Sequence, residues 1–201
     1  ISTGGYMDFM LLGKPLTDIN NLLILGAGGG TSIKQFLFFS PEAQIDAVEI
    51  DPKVIEAARK YFGLADNPRL KIHFDDARPF LNRTQKKYDV IEIDMFSGGP
   101  FVPFYLTTQE FFQMVFKKLN SKGLMLTNVL NDGRDGTLVF HIGNTAKTIF
   151  PSVFTIDLKK NVLLIAFEEK ISLKQVKLKL KNNPDQRINK LTEYALDNIK
   201  E

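Results

Sequence analysis

Cysteine and long apolar runs are missing from this chain of 201 residues, and histidine occurs only twice. Without cysteine the chain has no disulfide and no thiolate metal site, which fits a reducing compartment, so we expect it to be cytoplasmic. No apolar run is long enough to span a membrane, and no signal peptide is evident. His73 and His141 have no partner at metal-ligand spacing, so we expect no bound metal. Because the chain begins at Ile1 and not at Met, we expect it to be part of a longer protein.

Net charge is nearly absent from the body of the chain and is concentrated in its tail. From Lys170 to Glu201 there are eight Lys or Arg against four Asp or Glu. A basic tail can contact nucleic acid or acidic lipid, but a solvated helix face explains this pattern better. We therefore expect no nucleic-acid partner, and a basic, helical extension over residues 169–201 that follows a domain of residues 1–168.

Short apolar runs alternate with amphipathic segments along residues 1–150. The pattern predicts strands at 21–26, 44–51, 70–76, 88–94 and 123–130, with helices near 5–13, 30–39, 52–63, 77–82, 107–119 and 136–149. This alternation indicates βαβ units around a parallel sheet. Residues 153–168 predict an antiparallel hairpin at the sheet edge. In the tail, "VKLKLK" alternates like a strand, but Ser172 can cap a helix, and we predict helices near 172–182 and 185–200.

A glycine cluster follows the first predicted strand, in "LLILGAGGGTS". Gly26, Gly28, Gly29 and Gly30 are typical of a loop whose backbone approaches a ligand closely. The dinucleotide fingerprint G-x-G-x-x-G requires a glycine where the chain has Thr31, so the loop alone is a weak signal. A glycine-rich turn that binds nothing is the alternative interpretation.

Acidic residues end the next three predicted strands. Glu49 lies about 20 residues after the loop, where a carboxylate can accept hydrogen bonds from both ribose hydroxyls. Asp76, or its neighbour Asp75, can accept from an adenine amine, or can simply cap the following helix. Asp94 ends the fourth strand. Together these features indicate an α/β, Rossmann-like sheet of the S-adenosylmethionine-methyltransferase type, mostly parallel with a C-terminal antiparallel hairpin.

The order of several motifs resembles the spermidine/spermine synthase (polyamine aminopropyltransferase) family over about residues 5–168. The motifs are "VEIDPKVIEAARKYF", "DDARPFL", "KKYDVIEID" and "LTTQEFF". The chain most resembles divergent spermidine synthase-like members, and we expect it to be a member that lacks the family's N-terminal β-domain. The resemblance implies an enzyme that transfers an aminopropyl group from decarboxylated S-adenosylmethionine to a small amine acceptor and releases methylthioadenosine. Because family members are commonly dimers, it also implies a homodimer.

The resemblance assigns roles to individual residues. The glycine loop, Glu49, Asp76 and Ala77 would hold the adenosyl co-substrate, with Glu49 on the ribose and Asp76 on the adenine amine. Asp94 would accept a proton from the attacking amine, which is chemically sound because an amine attacks only when neutral. Tyr6 and Asn128 would face the amine as further catalytic residues.

Three departures from the family pattern fall where an amine would be held. Gly29 replaces an acid that grips the amino end of the co-substrate, and Ser97 replaces a second acid after strand four. Met7 and Asp8 follow Tyr6 in place of His or Gln and then Glu. The sequence therefore supports nucleoside binding better than polyamine binding.

Glu92 is unusual because it lies within a predicted central strand, where apolar residues are expected. It shares a strand face with Asp94, so it can supply anionic character to the site; pairing with a nearby Lys or Arg is the simpler interpretation. Asp132 and Asp135 are further candidates for amine contact, although "NDGRDG" also fits a plain turn.

Two other functions remain open on the sequence. One is an S-adenosylmethionine-dependent methyltransferase that acts on a small substrate, because the acid absent at Gly29 helps set aminopropyl specificity. The other is a nucleoside-binding domain that has lost its activity. Retention of Glu49, Asp76 and Asp94 together favours an enzyme.

Overall fold

Strands and helices alternate along the chain as predicted. The computed structural model describes residues 3–94, 103–131 and 137–201. The strands are β1 (Asn21–Leu25), β2 (Gln44–Glu49), β3 (Leu70–Phe74), β4 (Tyr88–Ile93), β5 (Leu119–Leu130), β6 (Ser152–Asp157), β7 (Asn161–Phe167) and β8 (Ile199–Lys200). The helices are α1 (Gly13–Leu16), α2 (Thr31–Phe39), α3 (Pro52–Phe62), α4 (Ala77–Arg83), α5 (Gln109–Lys117), α6 (Thr137–Lys147), α7 (Leu173–Lys181) and α8 (Asn189–Asn198), with 3-10 turns at Tyr6–Leu12, Phe104–Leu106 and Gln186–Ile188.

One sheet contains the eight strands found in the described residues, in the order β3-β2-β1-β4-β5-β7-β6-β8. Strands β1 to β5 are parallel, whereas β7 is antiparallel to both β5 and β6. This confirms the predicted methyltransferase-type sheet with a C-terminal hairpin. The prediction that the hairpin forms the edge is wrong, because β8 pairs with β6. A strand of two residues leaves no periodicity in the sequence.

Strand β5 departs most from its predicted start among the five parallel strands. It begins at Leu119, four residues before the predicted start, and its register with β4 shifts between Tyr88 and Val90. Gly123 lies in this irregular part, where a Cβ would come within 2.8 Å of the backbone oxygen of Asn120. The register therefore shifts beside a position that admits only glycine, and the polar residues 120–122 before it give no apolar run from which a strand could be predicted.

Alternate residues of the central strands pack against opposite helical layers. Leu22 and Ile24 of β1 belong to a buried cluster that includes apolar residues of α2, α3, α7 and α8. Leu23 and Leu25 belong to a second cluster with residues of α4, α5 and α6. The sheet is therefore covered on both faces, as parallel sheets require. None of the helices in the described ranges is long and apolar enough to form a transmembrane span.

The tail forms helices, as predicted, and its strand alternative is excluded. Ser172 and Gln175 make a capping box at the start of α7, in which each side chain bonds the other residue's backbone. Val176 and Leu180 of α7 and Ala195 of α8 are buried in the first core cluster. The helix therefore packs on the body through Val176 and Leu180, Lys179 donates to the Leu16 carbonyl, and Leu178 is exposed.

Candidate functional site

A cavity of about 330 Å³ opens at the carboxyl ends of β1, β2, β3 and β4. This is the edge at which open α/β sheets bind their ligands, because loops and helix starts converge there. The predicted residues in its wall are Gly26, Gly28, Glu49, Asp76, Ala77 and Asp94. The volume suits a ligand of nucleoside size.

The glycine loop curves from β1 into α2 with left-handed backbone at several positions. Gly28 has φ +49°, and Gly30 caps α2 with φ +73°, where an added Cβ would lie 3.1 Å from Leu64. Gly29 is not in the left-handed region, and a Cβ there would meet the ring of Phe62 at an ordinary 3.6 Å. Gly29 and Gly30 lie outside the cavity wall, so they shape the loop and its entry into α2.

Glu49 ends β2 and joins the second strand to the glycine loop. Its Oε2 accepts a hydrogen bond from the backbone N–H of Gly28 at 3.3 Å, and its Oε1 accepts from that of Asp51 at 3.1 Å. Each carboxylate oxygen can accept two hydrogen bonds, so each keeps one acceptor position. The buried carboxylate is therefore held in place with acceptors left for a pair of ligand hydroxyls.

Asp76 contributes to the cavity wall and also caps α4. Its Oδ1 accepts from the backbone N–H of Arg78 at 2.9 Å, and its Oδ2 accepts from the hydroxyl of Tyr105 at 3.2 Å. Asp75 instead forms an ion pair with Arg83. Of the two acids it is therefore Asp76 that caps the helix.

Asp94 follows β4 and lies where three parts of the chain meet. The hydroxyl of Tyr6 donates to its Oδ2 at 2.8 Å, and the Nδ2 of Asn128 donates to its Oδ1 at 3.1 Å. Its backbone N–H donates to Leu25 at the end of β1. The three predicted catalytic residues thus form one hydrogen-bonded group, although they are separated by 88 and 34 positions in the chain.

Burial and hydrogen bonding act in opposite directions on this group. Desolvation raises the pKa of Asp94 above its ordinary value, whereas the hydrogen bonds from Asn128 and Tyr6 lower it. Burial and the neighbouring Asp94 carboxylate raise the pKa of the Tyr6 hydroxyl well above its ordinary value. Tyr6 therefore keeps its proton and serves as a donor to Asp94. An acid with a raised pKa at a cavity wall is suited to proton transfer.

Glu92 is buried between apolar neighbours, beside Ile24 of β1 and Leu126 of β5 in the sheet register. Its Oε2 accepts a hydrogen bond from the Ser32 hydroxyl at 2.5 Å. Burial is the main cause that raises its pKa to about 8, and the Asp94 charge adds to the effect. The partner of Glu92 is a hydroxyl, so the predicted pairing with Lys or Arg is wrong. With this pKa the carboxyl group is mostly protonated near neutral pH, which argues against the hypothesis that Glu92 supplies negative charge to the site.

Several residues at the site carried no recognisable signal in the sequence. Ser32 and Asn161 are ordinary polar residues whose partners, Glu92 and Asn128, lie 60 and 33 positions away. Tyr105, whose hydroxyl donates to Asp76, lies in the segment after β4. The roles of Ser32 and Asn161 could be identified only from the three-dimensional structure, which shows the residues that they contact.

Other candidates lie outside the site or outside the described residues. The buried Asp8 accepts from the backbone N–H groups of Thr3 and Gly4 and from the Gln35 amide, so it shapes the segment before Tyr6. The positions outside the described residues are Ser97, Asp132 and Asp135. No cluster of three or more metal-ligating side chains occurs within the described ranges.

The fold and the site together define the structural class of the chain. A methyltransferase-type sheet with acids at the ends of β2, β3 and β4 belongs to the Rossmann-like α/β domains. In agreement, the fold is similar to that of human methyltransferase-like protein 13 in complex with SAH, with a TM-score of 0.73 at 24% identity over 96% of this chain and 90% of that one.

The chain belongs to the spermine/spermidine synthase family, whose domain matches residues 9–177. It is 36% identical over 152 residues to a probable polyamine aminopropyl transferase of Bifidobacterium longum, covering 74% of this chain and 33% of that one. The fold is also similar to spermidine synthase from Thermotoga maritima, with a TM-score of 0.73 at 20% identity over 90% of this chain and 66% of that one. The chain thus spans about a third of its curated Bifidobacterium relative.

Proposed function

We propose that the chain is an aminopropyltransferase domain that uses decarboxylated S-adenosylmethionine as donor and a small amine as acceptor. The observation that carries the proposal is the Asp94 group, in which Tyr6 and Asn128 hold one desolvated carboxylate at the wall of the cavity. Family membership supports the same activity. Homodimer formation remains a prediction.

The adenosyl part of the donor fits the glycine-loop side of the cavity. Glu49 has one free acceptor position on each oxygen for the ribose hydroxyls, because Gly28 and Asp51 use the others. Asp76 is fixed as the cap of α4 and presents a carboxylate to an adenine amine. Ala77, the first residue of α4, lines the cavity beside it. These groups would place the sulfonium toward Asp94.

Asp94 would act as the general base of the transfer. The neutral amine nitrogen attacks the carbon next to the sulfonium, the carbon–sulfur bond breaks, and methylthioadenosine leaves with the electron pair. The nitrogen then gives its extra proton to the Asp94 carboxylate. Because Tyr6 and Asn128 both donate to Asp94, the carboxylate is oriented before substrate arrives. Holding donor and acceptor in line supplies much of the remaining rate enhancement.

Calorimetric titration with nucleoside products tests this proposal directly. We expect methylthioadenosine to bind at least tenfold more tightly than S-adenosylhomocysteine, because only the former is the product of aminopropyl transfer. The reverse preference would favour methyl transfer, and no binding by either would overturn the proposal. Glu49→Gln is the matched control for adenosyl recognition, since it keeps the shape of the side chain and removes its charge.

Methyl transfer is the second candidate function. It is favoured by the presence of glycine, and not an acid, at position 29. The family resemblance implies an acid at this position that grips the amino end of the decarboxylated donor. Without that acid, the site has less to distinguish this donor from S-adenosylmethionine itself. Both reactions need an adenosyl sulfonium, so Glu49 and Asp76 would serve either one.

Restoring the acid at Gly29 should therefore sharpen donor selectivity. Gly29 lies outside the cavity wall but directly follows Gly28, which lines it, so the prediction requires the longer Asp side chain to extend to the cavity. The backbone there is not left-handed, and an added Cβ meets Phe62 at an ordinary distance, so Asp is accommodated without strain. We expect Gly29→Asp to improve binding of decarboxylated S-adenosylmethionine relative to S-adenosylmethionine by about tenfold, as for one charge-assisted hydrogen bond. Competition titrations measure the ratio, and Gly29→Asn is the neutral control. Equal ratios in both variants would contradict this prediction.

A further inference from the structure

A second asparagine, Asn161, lies next to the Asp94 group; it makes no hydrogen bond to Asp94 and does not line the cavity. Asn161 is the first residue of β7, and its Nδ2 donates to the Oδ1 of Asn128 at 2.9 Å. Asn128 pairs with Leu163 in the antiparallel register, so Asn161 is its diagonal neighbour on the same face. Asn161 on β7, Asn128 on β5 and Asp94 after β4 are thus connected by two successive hydrogen bonds.

The direction of these hydrogen bonds matters because a primary amide has one donating end and one accepting end. Asn161 occupies the accepting end of Asn128 with an N–H donor. The donating end of Asn128 is thereby turned toward the Oδ1 of Asp94. If the amide rotated by half a turn, its carbonyl oxygen would face the carboxylate oxygen, and the two would repel each other.

We propose that Asn161 is a positioning residue that fixes the amide orientation of Asn128 and so keeps Asp94 in its proton-accepting form. This role rests on the proposed function, because it matters for turnover only if Asp94 is the base. In support, the Asn128 hydrogen bond lowers the pKa of Asp94, while burial raises it. Loss of the correct orientation removes the first effect and leaves the second.

Several other titratable groups surround Asp94, and all of them are still present when Asn161 alone is substituted. Within the described residues they are Glu92 on its own strand, Tyr6 on the N-terminal segment, and, around the cavity, Glu49, Asp75, Asp76 and Tyr105. A change in the titration of Asp94 that follows substitution of Asn161 therefore has two possible causes, the link through Asn128 and any charge added at position 161, and controls separate them.

The test replaces Asn161 by Asp, which has the same shape. A carboxylate can only accept hydrogen bonds, so it cannot donate to the Oδ1 of Asn128 as Asn161 does. We expect the titration midpoint of the Asp94 carboxyl carbon, followed by NMR and assigned with Asp94→Asn, to rise by about one pH unit. The acidic limb of the pH profile of kcat/KM should rise equally, with kcat/KM at pH 6 reduced several-fold. Methylthioadenosine affinity, which reports on folding, should stay within twofold.

Two controls separate orientation from added charge and from general damage. Asn131→Asp places the same new charge at the neighbouring strand end and should leave the Asp94 midpoint unchanged. Among the described residues, Asn131 donates hydrogen bonds to the Lys159 and Lys160 carbonyls and not to the Asp94 group. Asn161→Ala removes the donor without adding charge and should give a smaller rise. In an Asn128→Ala background, Asn161→Asp should cause no further shift.

The possible outcomes test the positioning role of Asn161 and the proposed aminopropyl transfer separately. An unmoved Asp94 midpoint in Asn161→Asp, or an equal shift in the Asn128→Ala background, would overturn the positioning role. A raised midpoint supports that role even if the wild-type chain transfers no aminopropyl group. That last result would overturn only the proposed function, because the titration requires no turnover.

Discussion

Asp94→Asn is expected to lower the rate of aminopropyl transfer by 10²- to 10⁴-fold, the usual contribution of a positioned general base. Asparagine has nearly the same shape and still accepts from Asn128, but it cannot take a proton from the amine. Methylthioadenosine should bind nearly as well as to the wild-type chain, because Glu49 and Asp76 hold the adenosyl part. Single-turnover rates and calorimetry measure the two quantities separately.

Asp197→Asn is the matched control, since it makes the same chemical change on the exposed side of α8. It should leave both transfer rate and nucleoside affinity unchanged. Turnover within threefold of wild type in Asp94→Asn would remove Asp94 from the role of base. Loss of nucleoside binding in the same variant would instead place Asp94 in the adenosyl site.

Glu92→Gln should change how stability depends on pH. The folded chain holds the Glu92 proton up to a pKa of about 8, whereas the ordinary value is 4.5. Between these pH values the unfolded state binds fewer protons than the folded state, so the free energy of unfolding falls as pH rises. Above pH 8 the free energy of unfolding falls no further on account of this group, and the total decrease approaches about 5 kcal/mol.

Glutamine removes this titration and can still accept from Ser32. The free energy of unfolding of Glu92→Gln minus that of the wild-type chain should therefore increase steadily from pH 5 to pH 8 and then level off. Urea unfolding at pH 5, 6, 7, 8 and 9 measures this difference. Glu193→Gln, exposed on α8, is the control for loss of one carboxylate. A difference that is constant with pH would show that Glu92 has an ordinary pKa in the folded chain.

The sequence was sufficient to place the acids of the site because of one property of parallel sheets. Strands recognised by short apolar runs end at the same edge, so Glu49, Asp76 and Asp94 had to converge once the βαβ pattern was assigned. The positions of Tyr6 and Asn128 came from the family resemblance and not from periodicity. The structure brings both onto Asp94.

The features that the sequence did not reveal depend on pairs of residues distant in the chain. Glu92 stood out as an acid in an apolar strand, but nothing indicated that a serine at the start of α2 would be its partner. The strand β8 escaped prediction because its two residues are defined by their pairing with β6. Local patterns define elements, whereas the protonation of a buried acid depends on which elements meet around it.

The hydrogen bond between Gly28 and Glu49 has a consequence for the kinetics of ligand binding. It joins the glycine loop to the second strand through the chain's own groups, so this wall of the cavity is preorganised and little entropy is lost in ordering it on binding. Related nucleosides should then associate at similar rates with this wall. Differences in their affinity would appear chiefly in how long each one stays bound.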